Sequence, residues 1–580
     1  MKIWKKYIKP YKKYFILGPI CILVEVIGEV LMPKYLSMIL NNASSNTPEY
    51  SVQIMILMIL TAVMMLLGGV GGAYYGAKAS VNFASDLRGD IYKKVQTFSF
   101  TNIDKFSTGS LVTRLTNDVT QIQSFINTLL RISLRAPGMM IGALIMAIIL
   151  RPSLSLVFVV AIPAVIIFVI YIIYLGLPRF NKMQMNLDQL NTTVQENITN
   201  QRVVKSFVRK NHEIIKFSKV NDNLKNSSKK ALKIMIILSP VMTLILNLTI
   251  VFVIWMGAKM SLLEFNAMPI GDLSAFIMYC NQILMSLMTI TVVIVMSSRS
   301  IASQRRIKEI LIEDVDIMDV YAKHKDYIVK NGDIEFRNVS FRYYKQNEEK
   351  VLDNINFKIK EKSIVGIIGP TGSGKTSLVS LITRLYDPDQ GEILIDGIDV
   401  KDYTLVHLRD GVGMVLQNNT LFSGSIEDNI KWGNQEANDI EIIEAAKLAQ
   451  ADKFIVDFSK GYKTKIEQGG NNISGGQKQR LCIARTLLKH PKIIILDDSM
   501  SAVDTATEKM IRTAFKNKLK DVTKIIIAQR ISSVIDSDQI IVLDEGKIVG
   551  QGNHEYLMNI SKVYKEIYDS QIEIKEDYCG

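Results

Sequence analysis

Six long apolar segments constrain this chain more than any other feature of its sequence. A helix needs about 20 residues to cross the roughly 30 Å hydrocarbon layer of a membrane. The predicted spans are 15–39, 53–77, 132–150, 153–177, 234–258 and 275–298. With 580 residues, 48% of them hydrophobic, and a mean hydropathy of +0.18, the chain is expected to have at least two domains, one of them in lipid.

The connections between the spans differ sharply in length and charge. Two of them, 78–131 and 178–233, are long and polar, whereas the short connections contain only Arg151 and Lys259 as basic residues. Because basic residues concentrate on the cytosolic side, the long loops and both termini are predicted to be cytosolic. The net charge of +13 therefore indicates membrane topology and membrane lipid as a partner, and no nucleic acid is expected.

Both long loops are rich in helix-forming residues and poor in breakers, so each is predicted to be a helical hairpin. About 20 helical residues extend roughly 30 Å, which carries each hairpin well into the cytosol. The tips are predicted near 103–111 and 196–207.

After the last span, the pattern of apolar residues changes from long continuous segments to short runs. A transmembrane domain is predicted over 1–302, a polar linker over 303–332, a soluble α/β domain over 333–575 and a tail over 576–580. Short apolar, β-branched runs mark the strands of the α/β domain: 334–336, 363–368, 413–416, 493–496, 524–528 and 540–543.

One of these strands runs directly into a glycine-rich phosphate-binding loop and a helix. The loop consists of Gly369, Pro370, Thr371, Gly372, Ser373, Gly374, Lys375 and Thr376. Its glycines permit a tight turn whose backbone N–H groups face phosphate oxygens. Lys375 is expected to contact the outer phosphates and Thr376 to bind Mg²⁺, so ATP and Mg²⁺ are the predicted ligands.

A second apolar strand ends in two aspartates. Asp497 stands where a carboxylate following such a strand holds the Mg²⁺ shell of a P-loop protein, and Asp498 follows it. The alternative, two solvated loop aspartates, is weak beside an intact P-loop.

The segment Ser474, Gly475, Gly476 and Gln477 opens a helix about 20 residues before the second strand. Together with Asn472 and Ile473 it resembles the signature sequence of ATP-binding-cassette (ABC) transporters, with Ile473 in place of the usual Leu. The resemblance implies that this anion cradle closes on ATP held by the P-loop of another subunit.

Further positions match the same family. The resemblance implies that Tyr343 stacks on adenine, that Gln417 senses Mg²⁺ and contacts the membrane domain, and that Ser501 to Asp504 crosses the dimer interface. The two hairpin tips resemble the coupling helices of ABC exporters. A fold with six transmembrane helices, long cytosolic helical loops and a P-loop ABC domain is therefore expected, and export is favoured over import.

The sequence departs from the family at two catalytic positions. Active members have Glu where this chain has Asp498, and His where it has Gln529. Either the chain is a slow homodimeric ATPase, or it is the catalytically impaired subunit of a heterodimer whose partner half-transporter carries the consensus Glu and His. We favour the heterodimer, because the P-loop, Asp497 and the signature segment are retained.

The substrate is not specified by the sequence. Glu25 and Glu29 lie one helical turn apart in the first span, which indicates either a cation-attracting surface or, more simply, a structural hydrogen-bonding role. Export of an amphipathic or lipid-like small molecule or a peptide across a bacterial inner membrane is the favoured function. A membrane protein in which ATP gates a passive channel is the alternative from another class.

Overall fold

The computed structural model describes residues 2–43, 48–263, 268–319, 322–323, 325–344, 349–500 and 502–577. Two compact units are distinguished: residues 1–96 with 108–313, and residues 97–107 with 314–580. The tip of the first long loop thus groups with the soluble domain, although it lies within the range predicted as transmembrane domain.

The first unit is built of long helices. Within the described residues, six of them are long and apolar enough to span a membrane, which confirms the predicted helical membrane domain. The helices from the N-terminus to the end of this unit, with the tip helix α4 included in chain order, are α1 (Lys2–Ile8), α2 (Lys12–Ala43), α3 (Pro48–Gln96), α4 (Phe100–Lys105), α5 (Thr108–Thr113), α6 (Val119–Leu150), α7 (Pro152–Ser155), α8 (Val157–Thr199), α9 (Gln201–Ser206), α10 (Lys210–Leu263) and α11 (Ile270–Ile312).

Close packing of α2 on α3 depends on glycine. A Cβ atom at Gly68 would lie 2.8 Å from the backbone oxygen of Cys21, so a larger residue there would force the helices apart. The four-residue spacing of Gly68 and Gly72 places both on the face of α3 that contacts α2.

Helix α11 continues to Ile312, into the segment predicted as a polar linker. Ile307 and Ile310 are fully buried, and the Ser303 hydroxyl donates to Asp118 Oδ1 over 2.8 Å. Tertiary contacts therefore keep this polar stretch helical.

The second unit combines sheets and helices, as predicted. Its strands are β1 (Ile334–Phe341), β2 (Leu352–Ile359), β3 (Ile364–Ile368), β4 (Gln390–Ile395), β5 (Ile398–Asp399), β6 (Val412–Val415), β7 (Gly424–Ser425), β8 (Lys465–Ile466), β9 (Ile493–Asp497), β10 (Thr523–Ile527), β11 (Gln539–Asp544) and β12 (Lys547–Gly552). Its helices after α11 are α12 (Lys375–Ile382), α13 (Leu405–Gly411), α14 (Ile426–Lys431), α15 (Asp439–Leu448), α16 (Asp452–Asp457), α17 (Gly475–Leu487), α18 (Thr505–Lys518), α19 (His554–Ile560) and α20 (Lys562–Asp577).

The central sheet has the strand order β12-β11-β3-β10-β9-β6, and all neighbouring strands are parallel except β11 and β12. Alternate residues of β9 enter two different cores: Ile493 and Ile495 on one face, Ile494 and Leu496 on the other. Burial of both faces explains why these strands are continuous apolar runs. The domain also contains an antiparallel sheet, β2-β1-β4-β5, and a two-stranded antiparallel sheet of β7 and β8.

Candidate nucleotide-binding site

The carboxyl ends of four parallel strands meet at one edge of the central sheet. β3 leads into the P-loop, β6 into Gln417, β9 into Asp498 and β10 into Gln529. In open parallel sheets, ligands bind at this edge. The topology therefore brings together residues that are far apart in sequence, from Gly369 to Gln529, about 160 positions away.

The P-loop takes the conformation that its glycines predict. Gly372 and Gly374 have φ values of +86° and +96°, which disfavour any residue with a side chain. A Cβ atom at Gly369 would collide with the backbone oxygen of Leu543. The loop then enters α12 with Gly374 at its N-cap position, so the helix N-terminus faces the loop.

Lys375 folds back over this loop. Its Nζ donates to the backbone oxygens of Gly369 at 2.8 Å and Pro370 at 2.7 Å, and to Ser373 Oγ at 3.4 Å. Burial lowers the pKa of Lys375, while Asp498 and Asp497 raise it. A phosphate group would supply the counter-charge that this half-buried ammonium lacks.

Thr376 and Asp497 form a pair suited to a magnesium ion. The Thr376 hydroxyl donates to Asp497 Oδ1 over 3.1 Å. Asp497 is only 1% exposed, and its Oδ2 is buried without a hydrogen-bond partner in the described part of the chain. Burial raises the pKa of Asp497, and the Thr376 hydroxyl and the Lys375 charge oppose that rise. Oxygen ligands with an unmet charge fit Mg²⁺, which would neutralise phosphate charge there.

The two residues that depart from the family pattern contact each other. Gln529 Nε2 donates to Asp498 Oδ2 over 2.8 Å. The pKa of Asp498 is raised mainly by burial, and hydrogen bonds from Gln529 and Gln417 oppose that rise. Asp498 also has a φ of +47°, a left-handed conformation that orients its side chain at the strand end.

Tyr343 lies beside the start of α12. Its hydroxyl is 2.8 Å from Ser377 Oγ, and its ring meets that of Tyr386 edge to face, with centroids 5.1 Å apart. A cavity of about 400 Å³ adjoins Tyr343 and is also lined by Asp104, Arg342 and Glu349. The aromatic ring is thus next to a space near the P-loop helix, and Ser377 is a neighbour that the sequence did not reveal.

The signature segment forms the N-terminus of α17. Ser474 is the N-cap, its Oγ accepts the N–H of Gln477 over 3.3 Å, and Gln477 Oε1 accepts the Ser474 N–H over 3.0 Å. This reciprocal capping box pairs the N–H groups of Ser474 and Gln477 and does not engage those of Gly475 and Gly476. No described hydrogen bond joins this segment to the P-loop of the same chain, in contrast to the residues at the sheet edge.

Gln479 is a further residue that the sequence did not single out. It is 5% exposed, and its Oε1 accepts the Ala502 N–H over 3.1 Å. It thereby ties α17 to the loop that ends at Asp504, the N-cap of α18. Ser501, the first residue predicted for that loop, lies outside the described residues.

Glu25 and Glu29 have a basic partner in the membrane unit. Arg135 of α6 forms an ion pair with Glu29 and lies 3.4 Å from a carboxylate oxygen of Glu25. Gln282 Nε2 also donates to the backbone oxygen of Glu29 over 3.0 Å. The two glutamates therefore take part in helix-to-helix contacts, which supports the structural interpretation of the pair.

Comparison with known proteins covers both units. Residues 15–287 match the ABC transporter transmembrane region, and residues 352–501 match the ABC transporter domain. The ABC transporter ATP-binding proteins YfiB and YknU of Bacillus subtilis are 36% and 35% identical to this chain. The YfiB match covers 97% of both chains, and the YknU match covers 98% of this chain and 96% of the relative.

Among solved structures, a bacterial Atm1-family ABC exporter with ATP bound shares the fold. The TM-score is 0.78 at 24% sequence identity, and the match covers 98% of this chain and 99% of that one.

Proposed function

Because this chain belongs to the ABC transporter family, we propose that it is the catalytically impaired subunit of a heterodimeric exporter. Its family membership makes it an ATP-driven membrane transporter with an ABC ATPase domain. The finer proposal concerns how ATP hydrolysis is divided between this chain and a partner half-transporter.

The contact between Asp498 and Gln529 carries the proposal. A general base must reach the attacking water, and Asp is one methylene shorter than Glu, which withdraws the carboxylate by about an ångström. The hydrogen bond of 2.8 Å from Gln529 occupies one oxygen of that carboxylate. Gln529 cannot carry the charge of a protonated histidine. Both catalytic substitutions therefore weaken the same site, which would bind MgATP and hydrolyse it slowly.

The residues that would bind MgATP and the signature segment have geometries suited to nucleotide binding. The edge of the sheet holds Lys375, Thr376 and Asp497, and Thr376 donates a hydrogen bond to Asp497. Gln417 forms a hydrogen bond with the neighbouring Asp498. Ser474 caps α17 so that its helix N-terminus is available to an anion. This chain can therefore hold its own nucleotide and contribute the signature segment to the partner's site.

The first hairpin tip supports coupling between nucleotide binding and transport. Asn102 Nδ2 donates to the backbone oxygen of Asp314 over 2.9 Å, and the Tyr386 hydroxyl donates to Asp104 Oδ2 over 2.8 Å. Tyr386 in turn contacts Tyr343. Movement at the adenine side of the site would thus reach α4 through two adjacent aromatic rings.

The second tip, around α9, exposes three large apolar side chains beside basic ones. Val203, Phe207 and Val208 are 54%, 72% and 86% exposed. Apolar side chains gathered at a cytosolic hairpin tip fit a protein surface, so we assign this tip to contact with the partner half-transporter.

The cargo is a small amphipathic or lipid-like molecule or a peptide, exported across a bacterial inner membrane with both termini cytosolic.

The test compares the purified chain alone with the chain co-purified with its partner, in lipid nanodiscs. We expect slow ATP turnover from the chain alone and fast turnover from the pair. In the pair, mutation of the partner's Walker B glutamate should abolish turnover, whereas Asp498→Asn in this chain should change it little. Fast turnover by the chain alone would contradict the heterodimer and favour a homodimeric exporter.

Transport direction needs its own measurement. Inverted vesicles carrying the pair should concentrate substrate inside in the presence of ATP. Equilibration without concentration would indicate an ATP-gated channel instead.

A further inference from the structure

A basic cavity in the nucleotide-binding unit lies apart from the P-loop. Its volume is about 120 Å³, and its walls come from α18 and from the segments around β10 and residues 533–537. Lys524 is the second residue of β10, and Gln529 lies five positions further along the chain, roughly 16 Å away in extended backbone. The cavity is therefore distinct from the site where nucleotide binds.

The floor of the cavity contains a buried lysine without a partner. Lys524 is only 2% exposed and lines the cavity. Within the described residues its ammonium makes no hydrogen bond or ion pair. Buried lysines are rare unless they are paired, because a charge removed from water is unfavourable. Burial accordingly lowers the pKa of Lys524, and Asp538 and Asp521 oppose this only in part.

The neighbouring carboxylates are committed to other groups. Asp538 Oδ2 accepts the Ile364 N–H over 2.7 Å, and Asp521 forms an ion pair with Lys362 at 2.9 Å. Asp536, on the cavity wall, pairs with Arg512 at 2.8 Å. None of them lies within ion-pair distance of Lys524 in the described part of the chain.

One face of α18 adds further positive charge to the cavity. Lys509, Arg512, Thr513 and Lys516 follow the i, i+3, i+4, i+7 spacing of a single helix face, and all four line the cavity. The buried face of α18, with Glu508, Ile511 and Phe515, belongs to the core, and these four residues lie on the neighbouring face. Lys509 and Lys516 form no ion pair with a described residue, so three lysines converge here without acidic partners.

We propose that this cavity is a binding site for a phosphate group, supplied either by inorganic phosphate or by a small phosphorylated metabolite. Lys524, Lys509 and Lys516 provide ammonium donors for a tetrahedral anion, whereas the hydroxyls of Thr513 and Ser533 already donate to the Lys509 backbone oxygen and to Glu508. The volume suits one phosphate group, whereas sites for whole nucleotides or drug-sized ligands occupy about 300 Å³ or more.

A ligand in this cavity would lie beside Ser533, which also borders the cavity that contains Asp498 and Gln529. Ser533 belongs to the cavity wall and donates to Glu508 Oε1 over 2.6 Å, and both side chains are buried. Glu508 and Ser533 also line a second cavity of about 140 Å³ that contains Asp498 and Gln529. The two cavities therefore share Ser533 and Ile526 as wall residues.

Isothermal titration calorimetry of the full-length chain tests the proposal. Every protein carries Lys375→Ala, so that the P-loop does not contribute to phosphate binding, and inorganic phosphate is titrated against chloride at constant ionic strength. We expect saturable binding of one phosphate per chain. Lys524→Met should weaken it at least tenfold, since a charge-assisted hydrogen bond contributes enough for that change. Lys518→Met, on the same helix but outside the cavity, is the matched control and should leave binding unchanged.

Lys509→Gln provides a second variant at an exposed position and should weaken binding severalfold even if Lys524→Met fails to fold. Glycerol 1-phosphate is titrated in parallel: tighter binding of the ester identifies a phosphorylated metabolite, and tighter binding of inorganic phosphate identifies the free ion. Absence of saturable binding with both ligands, or binding that survives both cavity substitutions, would overturn the proposal.

Discussion

Restoring the consensus residues at the two altered positions should convert this chain into an active ATPase by itself. The changes are Asp498→Glu and Gln529→His, separately and combined. Asp498 Oδ2 accepts a hydrogen bond of 2.8 Å from Gln529, so the two positions to be changed adjoin each other.

The expected magnitude follows from the length of the side chain. One methylene advances the carboxylate by about an ångström, and a misplacement of that size costs on the order of 100-fold in rate. This corresponds to about 2.7 kcal/mol of transition-state stabilisation, since each tenfold change in rate equals about 1.36 kcal/mol. Asp498→Glu alone should therefore raise kcat by roughly 100-fold at little change in KM. Gln529→His should add to it, because His supplies a charged donor that Gln lacks.

Phosphate release from the purified chain in nanodiscs, without a partner, measures the effect. The matched control is Asp457→Glu, which adds the same methylene at an exposed position of α16, away from the sheet edge. ATP binding is measured in parallel with a fluorescent nucleotide and should be unaltered, because Lys375, Thr376 and Asp497 are unchanged.

Two results would refute the reasoning. If the unmodified chain already turns over as fast as its Asp498→Glu variant, the shorter carboxylate is not limiting. If the double variant binds ATP but remains slow, the impairment lies outside Asp498 and Gln529, and their contact does not explain it.

Three further predictions concern other parts of the molecule. Asp497→Asn should abolish Mg²⁺-dependent ATP binding and raise the nucleotide-free melting temperature at pH 7. Burial raises the pKa of Asp497, so its ionised form destabilises the fold and the advantage of Asn should shrink as the pH falls through that pKa; scanning fluorimetry at pH 7 and 4.5 decides, and a lower melting temperature at pH 7 would contradict it. Ser474→Ala should cost about 1 kcal/mol of stability and slow the heterodimer, whereas Ser474→Asn should keep the cap yet still slow it, so full activity of either variant would exclude the assigned role. Replacing both Glu25 and Glu29 by Gln should lower the yield of folded protein, since Arg135 then loses both ion-pair partners and an unpaired charge within a membrane costs about 3 kcal/mol. Arg135→Met in the same background should restore the yield; size-exclusion chromatography measures both, and no rescue would argue against the ion pairs.

Much of the fold follows from hydrophobic pattern alone. The six spans and the parallel strands are continuous apolar runs, because lipid or protein covers them on all sides. The antiparallel strand β2 does not form an apolar run that the sequence could reveal, since it alternates buried and exposed residues over Leu352–Ile359 and includes polar side chains on its exposed face. Helix α11 extends beyond the predicted span because buried contacts of Ile307 and Ile310, rather than lipid, continue it.

The P-loop and the signature segment are local motifs, so their residues could be predicted with their surroundings. Contacts between residues that are distant in sequence could not be predicted. The bonds of Gln529 to Asp498, Tyr343 to Ser377 and Gln479 to Ala502 depend on strand order and helix packing, which no local pattern records. Arg135 was missed for the same reason: its partner Glu29 lies 106 positions away, on another helix.

The altered residues and the signature segment lie on different structural elements. Asp498 and Gln529 follow neighbouring strands, β9 and β10, whereas the signature segment opens α17, whose capping box depends only on Ser474 and Gln477. Ile473 replaces Leu, yet it packs against the same core as its neighbours, and a volume-conserving exchange of this kind is tolerated. General decay would be expected to reach the P-loop glycines and the cap as readily as the catalytic pair. The two changes that affect catalysis lie at residues that act on water, which is the pattern expected if, as proposed, this chain binds nucleotide and a partner subunit supplies the hydrolytic groups.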